Sequence, residues 1–436
     1  MSRRNRLFMG VSMALAAGTF ASLTPTLMAR ESSHAELARG AYLVKAGDCA
    51  ACHTDEGGQP FAGGYPVPTP FGTIYSTNIT PDKETGIGNW TSDDFYKAMH
   101  EGMAPGNRHL YPAFPYPWYT KLSRNDVDAI RAYLQTLKPV HQANKPTELP
   151  WPFSMREAMA GWNALYFKSG TFQPNPQKSA EWNLGAYLVE GLGHCGACHS
   201  PKNFAGAPKR GKAFEGGFGE NWYATSLVGD VRDGLGDWNE QDIVQYLKTG
   251  VNRRAAAFGP MAEVVHDSTQ YLDDDDLHAI AVYLKDLPGD AKSNSNGAPS
   301  NDARAATSDT ASATTTGVDQ DRFARGHGYY IDQCAGCHME NGEGIAGVFP
   351  PLKGNNVVQA SDPGTMVHII LTGAKTATTN KKPTGLAMPA FDWKLDDAQV
   401  ADLATYLRNA WGNHAGAVDA NKVANTRGTV VAARTK

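Results

Sequence analysis

Cysteine is scarce in this 436-residue chain: six residues in all, none of them isolated. They form three pairs: Cys49 and Cys52 in "AGDCAACHTDEGG", Cys195 and Cys198 in "GHCGACHSPKN", Cys334 and Cys337 in "DQCAGCHMENG". Each pair runs directly into a histidine, His53, His199 or His338. Three motifs of two account for all six, so no thiol remains for a structural disulfide or a lone nucleophile. Beyond residue 29 no apolar run approaches the ~20 residues needed to cross a bilayer. Neither sign of charge dominates, and a formal net charge of −4 argues against nucleic acid as a partner. A Gly-rich dinucleotide fingerprint is missing. The other histidines (His34, His100, His141, His266, His278, His368 and His414 among them) are scattered, without a nucleophile or metal partner in view.

The motifs themselves say what the chain carries instead. Cys-x-x-Cys-His is the attachment signature of c-type haem. Two thiols add across the porphyrin vinyls, and the adjoining imidazole becomes the proximal iron ligand. Zinc needs four ligands per site, and no second pair accompanies any copy. A redox dithiol is expected once, in a βαβ setting, and gives no role to a histidine repeated three times. The reading is three covalently bound haems c, with His53, His199 and His338 on iron.

The N-terminus agrees. "MSRRNRLFMGVSMALAAGTFASLTPTLMA" has a basic start (Arg3, Arg4, Arg6), an apolar run and small residues before a cut near Ala29. It reads as a secretory signal over residues 1–29, not a membrane span. Haem is attached to unfolded chain outside the cytoplasm, so Arg3–Arg4 reads as an ordinary basic start rather than a twin-arginine signal. The mature chain is expected to be soluble or peripheral.

Repeats organise the rest. "ARGAYLVKAGDCAACH" recurs as "NLGAYLVEGLGHCGACH" and more loosely as "ARGHGYYIDQCAGCH". Each repeat closes on a similar segment: "NDVDAIRAYLQTLKP", "DDLHAIAVYLKDLP", "AQVADLATYLRNAW". Acidic residues open each closing segment, apolar residues recur at spacings of three and four, and Pro or Gly stops it. The expectation is a mainly α chain of three tandem class I cytochrome c domains, at 33–165, 178–290 and 318–412. The aliphatic and tyrosine positions of these helices are core packing. Residues 291–317 are small, polar and aperiodic and read as a flexible linker carrying the third domain; 413–436 read as a weakly basic tail. The Pro- and Trp-rich segment 139–178 reads as a packing strap between the first two domains, with an exposed docking surface as the alternative.

The face of each iron opposite the histidine decides between electron transfer and ligand chemistry. Met388 in "TGLAMPAFDWKL" lies 388 − 338 = 50 residues past its histidine, and Met261 in "AAAFGPMAEVV" lies 261 − 199 = 62 past its own. A loop location and a neighbouring proline favour ligation over gap-filling. In the first repeat, 62 residues past His53 falls Pro115, beside Phe114, and a phenyl ring cannot ligate. His109, in the same loop, and Met103, at the end of a predicted helix, are the candidates; His109 is preferred, and a bis-histidine site would have the lowest potential of the three.

With these pieces in place, the chain resembles the triheme cytochrome c subunits of periplasmic, membrane-associated dehydrogenase complexes. The likeness covers nearly the whole mature chain. It rests on the three haem motifs, "TPFGTIYSTNITPD", "GIGNW", "LYPAFPYPWYT", "GAYLVEGLGHCGACHSPKN", "AFGPMAEVVHDSTQYL" and the separate third module. Branches of that group serve quinoprotein alcohol dehydrogenases, flavin dehydrogenases acting on gluconate, sorbitol or fructose, and molybdenum hydroxylases acting on aldehydes or N-heterocycles. Many members have methionine where Phe114 stands, and "HLYPAFPY" is more similar to the molybdenum-linked branch. The resemblance implies an electron relay without catalysis of its own. Its partners would be a dehydrogenase catalytic subunit and ubiquinone or another acceptor, at the periplasmic face of the inner membrane. The competing classes, a multihaem peroxidase or a gas or redox sensor, need an open iron, and only the first haem offers that.

Overall fold

The computed structural model describes residues 24–219, 221–289 and 319–434. The expected linker at 291–317, and all of the expected signal except residues 24–29, lie outside them. The first repeat forms α1 (Thr24–Ala46), α2 (Cys49–His53), a hairpin of β1 (Pro66–Thr69) and β2 (Gly72–Tyr75), and α3 (Ser92–Glu101). It continues with a short ladder of β3 (Met103–Ala104) and β4 (Arg108–His109), then α4 (Tyr116–Tyr119) and α5 (Arg124–Leu134). The connecting α6 (Ala158–Tyr166) leads to α7 (Ala180–Tyr187), α8 (Gly196–His199), β5 (Gly217–Gly219) and β6 (Trp222–Ala224). The second repeat closes with α9 (Glu240–Thr249), α10 (Pro260–Asp267) and α11 (Asp274–Lys285). The third forms α12 (Gln320–Gln333), α13 (Ala335–His338), α14 (Asn356–Gln359) and α15 (Gly364–Thr372), then β7 (Ala374–Lys375), β8 (Ala387–Met388) and α16 (Asp397–Leu407), with α17 (Ala420–Arg434) beyond. Helix dominates; the sheets among the described residues are two-stranded antiparallel ladders.

Each repeat is built on one crossing of its opening helix with its closing helix: α1 on α5, α7 on α11, α12 on α16. Glycine stands where each crossing is tightest. A Cβ on Gly40 would lie 2.0 Å from the Ala129 carbonyl oxygen, on Gly185 1.9 Å from that of Ala279, and on Gly326 2.3 Å from that of Asp402. The second repeat has one more residue between this glycine and its cysteine than the first (195 − 185 = 10 against 49 − 40 = 9). A π-helical turn at Leu188–Leu192 takes up the insertion. Helix starts follow the sequence: Thr91 with Asp94, Asn239 with Asp242 and Asp396 with Gln399 form reciprocal capping boxes on α3, α9 and α16.

One apolar core runs through the first two repeats, from Leu43 and Ile130 to Val189 and Leu277; the third has its own around Tyr330, Val367 and Leu403. The residues read as a tail contribute to that second core. Val418 and Val423 are buried in it, and Arg427 on α17 pairs with Asp397 at 2.7 Å while donating to the carbonyls of Asp392 and Leu395.

The third repeat lies against the second along a polar seam. Tyr223 N–H donates to Thr365 Oγ1 (2.8 Å), which donates back to the Tyr223 carbonyl (2.9 Å). Trp222 stacks on His368 with ring centroids 3.8 Å apart. The Asn380 N–H donates to Gln270 Oε1 (2.9 Å), and His266 Nδ1 lies 2.6 Å from the Thr378 carbonyl. A small apolar contact of Ala377 with Ala257 and Val265 completes the seam.

The strap divides in two. Its later part packs: Trp162 and Phe167 meet the buried Tyr116 edge-on, and Phe172 N–H donates to the Lys121 carbonyl. Its earlier part is exposed, with Trp151 78% accessible.

Candidate functional site

The three motif histidines are held in one way. His53 Nδ1 lies 2.6 Å from the Thr77 carbonyl, His199 Nδ1 2.7 Å from that of Thr225, and His338 Nδ1 3.0 Å from that of Pro350. A carbonyl only accepts, so Nδ1 carries the proton and Nε2 keeps its lone pair for a metal. The backbone around each histidine is tied down as well: its carbonyl accepts the N–H of Gly63, Gly216 or Gly344 at 2.8, 2.9 and 3.0 Å. Burial pushes all three imidazoles below the ordinary histidine value, and the carbonyl bonds oppose this only in part. Neutral imidazole is the form that ligates.

No disulfide links any of the six cysteines. In each pair the first sits deeper than the second: Cys52, Cys198 and Cys337 are exposed, whereas Cys49 and Cys195 are half-buried and Cys334 buried. Burial pushes the thiols of Cys49, Cys195 and Cys334 up to about 12, so they remain protonated and are not poised as nucleophiles. A neutral, oriented imidazole beside two thiols at different depths fits covalent haem attachment. Among the described residues no three His, Cys, Asp or Glu side chains converge as a metal-binding group.

The distal candidates are placed differently from one another. Met388 lies in β8 opposite Ala374 and packs against the core that contains Cys334. Met261, expected in a loop, lies in the first turn of α10, because Pro260 occupies the initial position that suits a fixed φ and a missing N–H. It packs with Ala257, Val265 and, from the third repeat, Ala377. Met103, expected at the end of a helix, falls just beyond the Gly102 cap of α3 and pairs with His109 across the β3–β4 ladder. His109 Nδ1 is buried without a hydrogen-bond partner, while the residue's carbonyl accepts from Arg156. Phe114 meets Tyr119 edge-on at 5.5 Å, and Tyr119 donates to the Gly47 carbonyl two residues before Cys49. The phenyl ring therefore lies in the wall beside the first motif.

Sequence reasoning did not identify the carbonyls that orient the histidines, since they lie 24, 26 and 12 residues downstream with no side-chain signature. It also passed over His194, directly before Cys195, which meets Tyr119 edge-on at 5.5 Å and so joins the surroundings of the first two motifs.

A cytochrome c family model matches residues 37–138 and 323–411. Along nearly its full length the chain is similar to the gluconate 2-dehydrogenase cytochrome c subunit of Pantoea cypripedii, 43% identical over 95% of this chain and 94% of that one. It is 41% identical to the cytochrome c subunit of alcohol dehydrogenase (quinone) from Gluconacetobacter polyoxogenes, over 98% of this chain and 91% of that one. A nicotinate dehydrogenase subunit of Pseudomonas putida is 42% identical over 86% of this chain, which matches 30% of that longer protein. Three oriented Cys-x-x-Cys-His sites on a repeated helix crossing, together with near-complete likeness to such subunits, place the chain in the cytochrome c family, among the cytochrome c subunits of dehydrogenase complexes.

Proposed function

We propose that the chain is a triheme c-type cytochrome. It relays electrons from the catalytic subunit of a periplasmic dehydrogenase, whether quinoprotein, flavoprotein or molybdenum enzyme, to ubiquinone or another respiratory acceptor at the outer face of the inner membrane. The observation that carries this is the threefold recurrence of one donor arrangement: a cysteine pair and a histidine whose Nδ1 is bonded to a backbone carbonyl. Cys49 and Cys52, Cys195 and Cys198, and Cys334 and Cys337 hold the three groups, with His53, His199 and His338 on iron. Met261 and Met388 supply the opposite ligand in the second and third sites, and His109 or Met103 in the first. Bound haem supplies a one-electron couple; the chain's own residues ligate it, keep the imidazoles neutral and exclude water. The relatives named for gluconate, alcohol and nicotinate dehydrogenases support a dehydrogenase as donor.

A pyridine haemochrome assay on mature protein should count three haems per chain, all resistant to acid–acetone extraction. Two or fewer would remove a motif from the assignment. The reduced protein should bind little carbon monoxide, because a relay keeps both axial positions filled. Stoichiometric binding would favour an enzyme or sensor instead. Met261→Ala and Met388→Ala should each lower one potential and open one carbon monoxide site. A variant that kept its full near-infrared methionine–iron band would assign that methionine to packing alone.

A further inference from the structure

The outer side of the strap, along both its parts, forms a ridge that the core does not explain. Trp151 is 78% exposed, Phe153 44%, Met155 45% and Leu165 65%; opposite them, the loop after α8 raises Phe204, 91% exposed. The α6 segment AMAGWNALY is strongly apolar, yet none of its residues is buried. These side chains belong to one surface. Trp162 Nε1 donates to the Ala205 carbonyl at 2.9 Å, and the Phe153 ring lies 4.8 Å from that of Phe71. A Cβ on Gly206 would sit 3.2 Å from the same Phe71 ring. The ridge therefore crosses from the first repeat to the second.

Its charge is opposite to that of the whole chain. Residues 150–169 and 201–213 hold Arg156, Lys168, Lys202, Lys209, Arg210 and Lys212 against Glu157 alone, a balance of 6 − 1 = +5 in a chain of formal charge −4. Lys168, Lys209, Arg210 and Lys212 are exposed. Lys212 also pairs with Glu215 at 2.8 Å; Lys209 and Arg210 lie beside it on the same loop.

We propose that this ridge is the membrane-contact face of the protein, seated in the headgroup layer of an anionic phospholipid bilayer. The proposal deepens the reading of peripheral attachment given above and rests on it. Exposed aromatic and aliphatic side chains flanked by Lys and Arg match the two demands of that interface. Amphipathic rings and aliphatic groups settle at the headgroup–acyl boundary. Cations are drawn to anionic headgroups over about a Debye length, ~8 Å at physiological salt. The most exposed rings project from turns rather than forming a flat patch, which suits insertion between headgroups.

Flotation of the mature, haem-loaded full chain with vesicles tests this. Vesicles of phosphatidylcholine containing about 30% phosphatidylglycerol should bind it roughly tenfold more tightly than phosphatidylcholine alone, and less as salt is raised. The triple variant Trp151→Ser, Leu165→Ser, Phe204→Ser should lose about tenfold or more of the binding. Lys209→Glu with Arg210→Glu should abolish the preference for anionic lipid. Haem count and reduction potentials, read on the same samples, should be unchanged; a shortfall there would fault the relay reading and leave the vesicle result standing. Absence of wild-type binding to either vesicle would overturn the proposal, as would a triple variant that binds like wild type. If the triple variant kept its vesicle binding but lost its co-purifying large subunit, the ridge would be a protein interface, and the proposal would again fail.

Discussion

His109 and Met103 are cross-strand partners, so two iron-competent side chains of the first repeat stand on one face of a single hairpin. Burial distinguishes them. A buried nitrogen without a partner costs about 1–3 kcal/mol, and His109 Nδ1 is in that state. Iron ligation through Nδ1 itself would relieve it, whereas a half-buried Met103 thioether incurs no such cost. His109→Ala should therefore convert one low-spin haem to high-spin in the electronic and paramagnetic resonance spectra, and Met103→Ala should leave all three low-spin. The reverse outcome would make Met103 the ligand, and no change in either would leave the first site open or ligated elsewhere. A second histidine makes a stability prediction. His278 bonds Glu181 at 2.6 Å and lies 3.4 Å from Glu240, tying α11 to α7 and α9. The bond to Glu181, together with both carboxylate charges, raises its pKa. Because the folded value is raised, its contribution is complete below the unfolded value of about 6.5 and disappears as pH rises through the folded value. For an exposed pair the effect is at most about 1 kcal/mol. His278→Gln should thus lower Tm at pH 5.5 and hardly change it at pH 9; an equal deficit at both would rule out charge as the cause.

At the scale of elements, the glycine at each helix crossing sets how near the two backbones come, and α12 carries its own control. A Cβ on Gly326 would lie 2.3 Å from the Asp402 carbonyl oxygen and 2.7 Å from Tyr406 Cβ, whereas one on Gly328, two residues on, meets nothing within 4 Å. Alanine is the better helix former by about 1 kcal/mol, and overpacking costs about 1–3 kcal/mol or more. Gly326→Ala should therefore lower Tm and Gly328→Ala should hold or raise it; two shifts of the same sign would mean that the crossing tolerates separation. These crossings were the most legible part of the chain. The glycine, the apolar spacing and the acidic start of each closing helix all recur in the sequence, with Gly40, Gly185 and Gly326 standing eight to ten residues before the first cysteine of their motifs. Pairing was not legible: β3, β4, β7 and β8 have two residues each, too few for alternation to register. Helix α17 was missed because its buried valines, Val423 and Val430, stand two turns apart among small and polar residues. At the candidate sites the cysteine pairs and their histidines were legible as motifs, whereas the carbonyls that orient the histidines were not, because any residue can supply one.

Across the whole molecule, the connection between repeats is a matter of seams as well as chain. The first two repeats share one core, which makes their relative placement as firm as any helix packing within them. The third adds itself through Tyr223, Thr365, Trp222, His368, Gln270 and Asn380, a polar and stacked contact whose apolar part is small, with Ala257, Val265 and Met261 against Ala377. Such a seam resembles the moderately polar interfaces between domains, in which each hydrogen bond contributes about 0.5–1.5 kcal/mol and a stacked pair about as much. The intact chain adds to this by keeping the two surfaces at a high effective concentration. Cutting the chain between residues 291 and 317, where the polar, aperiodic sequence is the expected site of first proteolysis, removes that tether and leaves the seam to act alone. The two fragments should still co-elute on gel filtration at tens of micromolar. Thr365→Ala together with Trp222→Ala deletes the reciprocal hydrogen bonds and the ring stack, and should release the C-terminal fragment as a folded piece with its haem. Fragments of the unaltered protein that separate after the cut would show that the chain connection, and not the seam, holds the third repeat in place. Its distance from the second would then vary during electron transfer.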